Sequence, residues 1–263
     1  MPKFLLLHDM PWLAALFFGV AALYSAAGFG GGSSYIAALS LSSVAPVQLR
    51  SVAYLCNIVV SSFGAQRFAR KGVLDLRLAL PFLVASVPMA MLGSALRPDV
   101  ATFKLILAVV LLPAGLLLMF SGWIEQRQAP RWAAWVHARY GLYALSAVIG
   151  FVSGLVGIGG GVFLAPVLHF ARWRTAVEIA ALSSLYIAIN SLAGFAVLLV
   201  GDHSTHWWPD AAVLALVVYM GMRIGNGFAL SERGRRRIRA ITGFIVVLAA
   251  VVVFVRYLAE KAA

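Results

Sequence analysis

Gly157-Ile158-Gly159-Gly160-Gly161 interrupts a run without Asp, Glu, Lys or Arg that extends from Tyr140 to Ala171. An echo, Gly28-Phe29-Gly30-Gly31-Gly32, stands 129 positions earlier inside a longer uncharged run, Met10 to Leu49. As one helix this earlier run would extend ~60 Å at 1.5 Å per residue, twice the roughly 30 Å hydrocarbon core of a bilayer. Three consecutive glycines also weaken a helix, each by about 1 kcal/mol against alanine. Each stretch therefore reads as two helical pieces joined by an unwound glycine turn.

The same charge spacing continues outward. Leu78–Leu96, Leu105–Ile124 and Ile179–Gly201 carry no charge, shorter clean runs cover Ser51–Gln66 and Ala240–Val255, and only Arg223 interrupts Ala211–Leu230. The chain of 263 residues is 62% hydrophobic and 11% charged, against roughly 25% charged in a soluble domain. These features predict an all-α polytopic membrane protein and exclude a soluble enzyme, a disordered chain and a secreted disulfide scaffold, since Cys56 is alone. Lys3 is the only basic residue before the first run, which continues without a polar stop, so a cleaved signal peptide is not expected. The net charge of +12 belongs to basic loops flanking spans rather than to a nucleic-acid site. Arg233, Arg235, Arg236, Arg237 and Arg239 form one such flank, placed to meet anionic headgroups.

The glycine motifs head two repeats. Val60-Ser61-Ser62-Phe63-Gly64 follows the first as Asn190-Ser191-Leu192-Ala193-Gly194 follows the second. The expected division is a first membrane repeat over 1–124, an inter-repeat loop over 125–139 and a second repeat over 140–263. If each glycine stretch were a single broken crossing, the basic residues would divide equally between the two sides. If both are re-entrant, each followed by three spans, fourteen fall inside and six outside: Lys3, Arg50, Arg97, Lys104, Arg256 and Lys261. The positive-inside rule favours the second arrangement. It makes the halves inverted repeats with both termini outside, an architecture common in secondary transporters.

A helix broken at mid-membrane leaves backbone N–H and C=O groups that lipid cannot satisfy. Helices restarting after Gly30, Gly31 and Gly32, and after Gly159, Gly160 and Gly161, would direct N–H groups and positive dipole ends at one cavity. That constellation suits a small anion. A purely structural reading is that small residues let helices pack closely. Neither motif continues into the Gly-Lys-Ser/Thr of a P-loop.

The second motif, Gly154 to Leu168, with Ala180-Ala181-Leu182-Ser183-Ser184 and Ile189-Asn190-Ser191-Leu192-Ala193-Gly194, resembles the TauE/SafE (sulfite exporter) family of membrane transporters. Ala27–Gly32 and the basic turn Arg67 to Arg77 carry a weaker likeness in the first half, so the resemblance covers essentially the whole chain. Ala37 stands where the second copy has Pro166, and Ser33-Ser34 replaces Val162-Phe163. The resemblance implies transport of small anions, among them sulfite, sulfonates and other organosulfur compounds, driven by an ion gradient.

The candidate substrate-binding residues are the six glycines with Ser33, Asn57, Ser61, Ser184, Asn190, Ser191 and Arg223. Asn57 and Ser61 share a helix face, as do Ser184 and Ser191; their polar groups could solvate an anion or simply bond between helices. Arg223 is a charge inside a span, close enough to a basic end to snorkel. Arg50 either attracts anions or marks the interface. Glu178 suits a helix N-terminus better than a proton-coupling role. His203 and His206 with Asp202 and Asp210 form no specific metal pattern. The expected partners are a small anion, the bilayer, a coupling ion (proton or sodium) and a second chain in a homodimer. No cofactor is expected, and the location is the inner (cytoplasmic) membrane. The rival readings are a carboxylate or cation transporter, a membrane-embedded enzyme and a non-transporting subunit. The spans offer neither the acids nor the nucleophile–base pairs that a cation path or an enzyme would use.

Overall fold

The computed structural model describes residues 12–27, 30–40, 44–124, 134, 136, 138–201, 208–227 and 232–262. Gly28, Phe29, Lys3, most of the expected inter-repeat loop and the histidines 203 and 206 lie outside the described residues. The described residues form helices joined by short turns: α1 (Trp12–Ala27), α2 (Gly32–Leu39), α3 (Pro46–Arg70), α4 (Leu76–Ala95), α5 (Val100–Ile124), α6 (Arg139–Val156), α7 (Gly161–Phe170), α8 (Ala176–Gly201), α9 (Trp208–Gly227) and α10 (Glu232–Ala262). Among the described residues Leu76–Ala95, Val100–Phe120, Ala176–Val200 and Ala240–Ala259 are long and apolar enough to cross a bilayer. At 1.5 Å per residue the eight-residue α2 is only ~12 Å long and cannot.

The ends follow local chemistry. Pro46, which has no N–H to lose, opens α3, and Arg67 and Arg70 lie in its last turn, where cations suit the dipole. Asp75 caps α4 by accepting from Arg77 N at 2.8 Å. Asp99 caps α5 by accepting from Thr102 N at 3.1 Å, and hydrogen bonds from Thr102 hold its carboxyl below the usual range. Thr175 and Glu178 form a reciprocal capping box at α8: Glu178 Oε2 accepts from Thr175 N at 3.0 Å, and Glu178 N donates to Thr175 Oγ1 at 3.4 Å.

Glycines set the helix directions by letting backbones touch. A Cβ at Gly150 would meet Ser86 and one at Gly154 would meet Ala90, so α4 and α6 run the same way. Gly221 against Phe18 and Gly225 against Ala22 do the same for α9 and α1. In contrast, α3 and α8 are antiparallel, with Gly64 facing Ser184 and Gly194 facing Tyr54. So are α5 and α10, where Gly115 faces Val247 and Gly243 faces Met119. The pairings correspond between halves: α1 on α9 matches α6 on α4, and α2 on α10 matches α7 on α5. Each half thus completes its packing on the other.

The chain doubles back at both glycine motifs. Near the end of α1 the Ser25 hydroxyl donates to Met222 O at 3.4 Å. Gly30 lies beside Asn57 in mid-α3, and Tyr35 stacks on Phe17 with ring centroids 4.5 Å apart. α6 ends beside Arg50, and the chain then reaches Asn57 at Ile158 and Ile187 at Gly161. The short helices α2 and α7 are therefore the return limbs of two helical hairpins.

Candidate substrate site

The returns begin at glycines for a backbone reason. Gly31 and Gly160, the residues before α2 and α7, have φ of 84° and 83°, a left-handed conformation that costs other residues roughly 1–2 kcal/mol. Neither provides a side chain to cap the N–H groups of the first turn.

The two breaks meet between the midpoints of α3 and α8. A Cβ at Gly30 would lie 2.6 Å from Ser61 Oγ, 3.0 Å from Asn57 Oδ1 and 3.0 Å from Ile187 Cγ2. One at Gly159 would lie 2.7 Å from Ser191 Oγ, 2.8 Å from Ile187 Cγ2 and 3.4 Å from Asn57 Nδ2. One at Gly32 would meet the Asn57 amide and sit 2.6 Å from Ile158 O, and one at Gly161 would meet Ile187. The contacts pair across the halves, Ser61 with Ser191 and Asn57 with Ile187, so one side of the junction is polar where the other is apolar.

Asn57 links the breaks directly, its Nδ2 donating to Ile158 O at 3.1 Å. Its Oδ1 and the hydroxyls of Ser61 and Ser191 are buried without a protein hydrogen-bond partner. So are Tyr35 OH, which a Cβ at Gly31 would approach to 2.8 Å, and the Ser153 hydroxyl on the residue packed against Gly160. Leaving such a group unsatisfied costs about 1–3 kcal/mol. A cluster of them around two buried backbone turns can hydrogen-bond a small polar solute. There is no room for an added methyl at Gly30 or Gly159, so this conformation is closed and a ligand would enter by separating the packed helices.

The model of the family "Sulfite exporter TauE/SafE" matches residues 13–253. The chain belongs to the TauE/SafE family. A relative in Sinorhizobium fredii, named "Probable membrane transporter protein y4hK", is 36% identical over 187 residues, 69% of this chain and 73% of its own length. No solved structure matches the chain. This TauE/SafE chain is a multi-pass membrane transporter, as the motif resemblance implies.

The other candidates of the TauE/SafE chain take varied positions. Ser33 is buried with its hydroxyl 3.4 Å from Tyr24 OH, which also bonds Ser34 at 2.7 Å. Asn190 donates to Tyr186 O of its own helix at 2.9 Å and leaves Oδ1 without a protein partner. Ser184 donates to Ala180 O at 2.9 Å and packs on Gly64, just under a turn from the junction residues Ile187 and Ser61. Arg223 is exposed and lies in a groove with Arg67, Arg70 and Lys71. Arg50 is fully buried: its guanidinium donates to Ser94 O at 3.4 Å, Leu96 O at 3.1 Å and Leu155 O at 3.3 Å. It joins the ends of α4 and α6, where helix dipoles favour a cation. Among the described residues no three His, Cys, Asp or Glu side chains gather into a metal site.

Ile187, Tyr35 and Ser153 are the junction residues that sequence reading passes over. An isoleucine in an apolar span carries no signal of its own. Tyr35 and Ser153 do lie within four to seven residues of the glycines, a proximity that could have drawn attention to them.

Proposed function

We propose that the protein is a secondary transporter of a small anion, with sulfite, a sulfonate or another organosulfur anion as the substrate class, in the inner membrane. The observation that carries this reading is the junction itself. Two glycine-started helices meet beside Asn57 and Ile187, and the unpartnered Ser61 and Ser191 hydroxyls surround the breaks with the Asn57 amide, whose Nδ2 has a second N–H beyond the one given to Ile158 O. Hydroxyl and amide donors with helix N-terminal N–H groups bind an anion without a countercharge that would hold it too tightly. The substrate-binding set comprises Gly30, Gly31, Gly32, Gly159, Gly160, Gly161, Asn57, Ser61 and Ser191.

In this reading the two hairpins are re-entrant and the halves are inverted repeats. Support comes from the parallel course of α1 with α9 and of α4 with α6, set against the antiparallel crossing of α3 and α8. Asn57 and Ile187 are each the twelfth residue of a long helix, Pro46–Arg70 and Ala176–Gly201. The junction therefore falls near mid-bilayer. Alternating access would open it to one side by parting α3 and α8, and a proton or sodium gradient would supply the drive.

The test is a thermal-unfolding screen of the purified chain against sulfite, thiosulfate, taurine, sulfoacetate and carboxylate controls, followed by flux of the best ligand into proteoliposomes. A ligand that binds only the folded state raises stability by RT ln(1 + L/Kd) at free ligand concentration L, so the shift keeps growing with the logarithm of that concentration above Kd. Stabilisation and saturable flux of an organosulfur anion support the reading. Stabilisation by carboxylates alone would replace the substrate class, and no response to any anion would overturn the function.

A further inference from the structure

The ends of α3 and α9 form a second polar feature. A groove of about 500 Å³ is lined by Phe63, Gln66, Arg67, Arg70, Lys71, Met222 and Arg223. Four of the seven are cations and none is an acid. At about 100° per residue, Arg67 and Arg70 project roughly 100–160° away from the Asn57–Ser61 face of α3. The groove and the glycine junction therefore use different sides of one helix.

The surroundings of the groove are apolar and outward-facing. Leu216, Met220 and Ile224 of α9 are exposed, as is Phe63 of α3, whose ring lies 5.3 Å from that of Tyr219. In a polytopic membrane protein such a surface meets acyl chains. Arg223 reaches from it toward Arg67, Arg70 and Lys71 at the polar end of α3. We propose that this groove binds the phosphate headgroup of an anionic phospholipid, with its acyl chains lying over Phe63, Met220 and Ile224. Concentrated positive charge at one interface, an aliphatic wall continuous with it and the lack of any acid among the described lining residues together select a lipid anion over a soluble one. Basic pockets between membrane helices on the cytoplasmic side bind such headgroups, and the basic-residue distribution puts the end of α3 on that side. Arg223 thereby acquires a partner that is not the transported solute.

The test uses the full-length chain in nanodiscs of phosphatidylcholine with increasing phosphatidylglycerol, read by thermal unfolding. Wild type should gain several degrees in Tm as phosphatidylglycerol increases. Arg70→Gln/Arg223→Gln should need about thirtyfold more anionic lipid for half the shift, the effect of losing two interfacial cations. Arg97→Gln/Lys104→Gln, which removes two cations elsewhere, should respond as wild type. Equal shifts in the two double variants would overturn the site. Inorganic phosphate stabilising the protein in pure phosphatidylcholine as well as phosphatidylglycerol does would overturn the lipid as occupant and leave a soluble phosphate in its place.

Discussion

Three alanine substitutions separate backbone strain from steric closure at the junction. Gly72 has φ of 67° in the turn after α3, with nothing within 4 Å of the place a Cβ would take, so Gly72→Ala adds only left-handed strain, roughly 1–2 kcal/mol. Gly30→Ala is the opposite case: its φ is outside the left-handed range, but the methyl meets Ser61, Asn57 and Ile187 at 2.6–3.0 Å. Overpacking of that kind costs typically 1–3 kcal/mol. Gly159→Ala combines a φ of 82° with contacts of 2.7 Å to Ser191 and 2.8 Å to Ile187, so the two costs add to about 2–5 kcal/mol. Unfolding in detergent should rank the variants Gly72, Gly30, Gly159 from least to most destabilised. Anion flux in proteoliposomes should stay near wild type for Gly72→Ala and fall at least tenfold for the other two. Ser61→Ala in the Gly30→Ala background removes the shortest contact, so stability should recover while flux, deprived of a hydroxyl, should not. Gly30→Ala and Gly159→Ala proteins as stable and as active as Gly72→Ala would refute the packed junction.

Arg50→Met leaves Ser94 O, Leu96 O and Leu155 O without their donor; hydrogen bonds to a charged group are worth about 1.5–3 kcal/mol each, so unfolding should show a loss of several kcal/mol. Arg50→Lys, lacking the planar fork, should not restore it, and a loss under about 1 kcal/mol would contradict the assigned role. Thr175→Ala removes half of the α8 capping box and should cost about 1 kcal/mol, with the pH profile of flux unchanged; a shifted profile in Glu178→Gln would make Glu178 a coupling group instead. Reporter fusions at the two termini should both read on the non-cytoplasmic side of the membrane, and a cytoplasmic C-terminus would contradict the re-entrant topology.

Much of the architecture is legible in the charge spacing, because a bilayer core tolerates few charges and the gaps between them mark helices. The glycine breaks are legible too, since each stretch is too long for one crossing. Partner choice is harder, because it depends on contacts between distant segments. Ser184 and Ser191 share a helix face as their spacing implies, but α8 crosses α3 antiparallel, so one meets Gly64 and the other Gly159. Arg50 stands at the start of a span, where an interfacial position and full burial read alike. Its burial comes from the ends of α4 and α6 converging on it, which no local pattern reveals. Ile187 contacts both breaks as the counterpart of Asn57 and looks like any aliphatic residue of a span. Arg223 stands out as a charge within a span, yet nothing in its sequence neighbourhood says that it faces the basic end of α3 rather than the junction.

The proposed transport requires the polar groups between the two breaks to hold the anion. Flux as a function of anion concentration in Asn57→Ile, which makes the residue match its counterpart Ile187, and in Ser61→Ala/Ser191→Ala tests this most directly, with folding verified by unfolding temperature. Loss of one hydrogen bond to a charged solute at about 1.5–3 kcal/mol predicts a flux efficiency roughly 10–100 times lower in Asn57→Ile, and loss of two predicts a drop of at least about a hundredfold in the double serine variant. Wild-type saturation curves in both variants would contradict it.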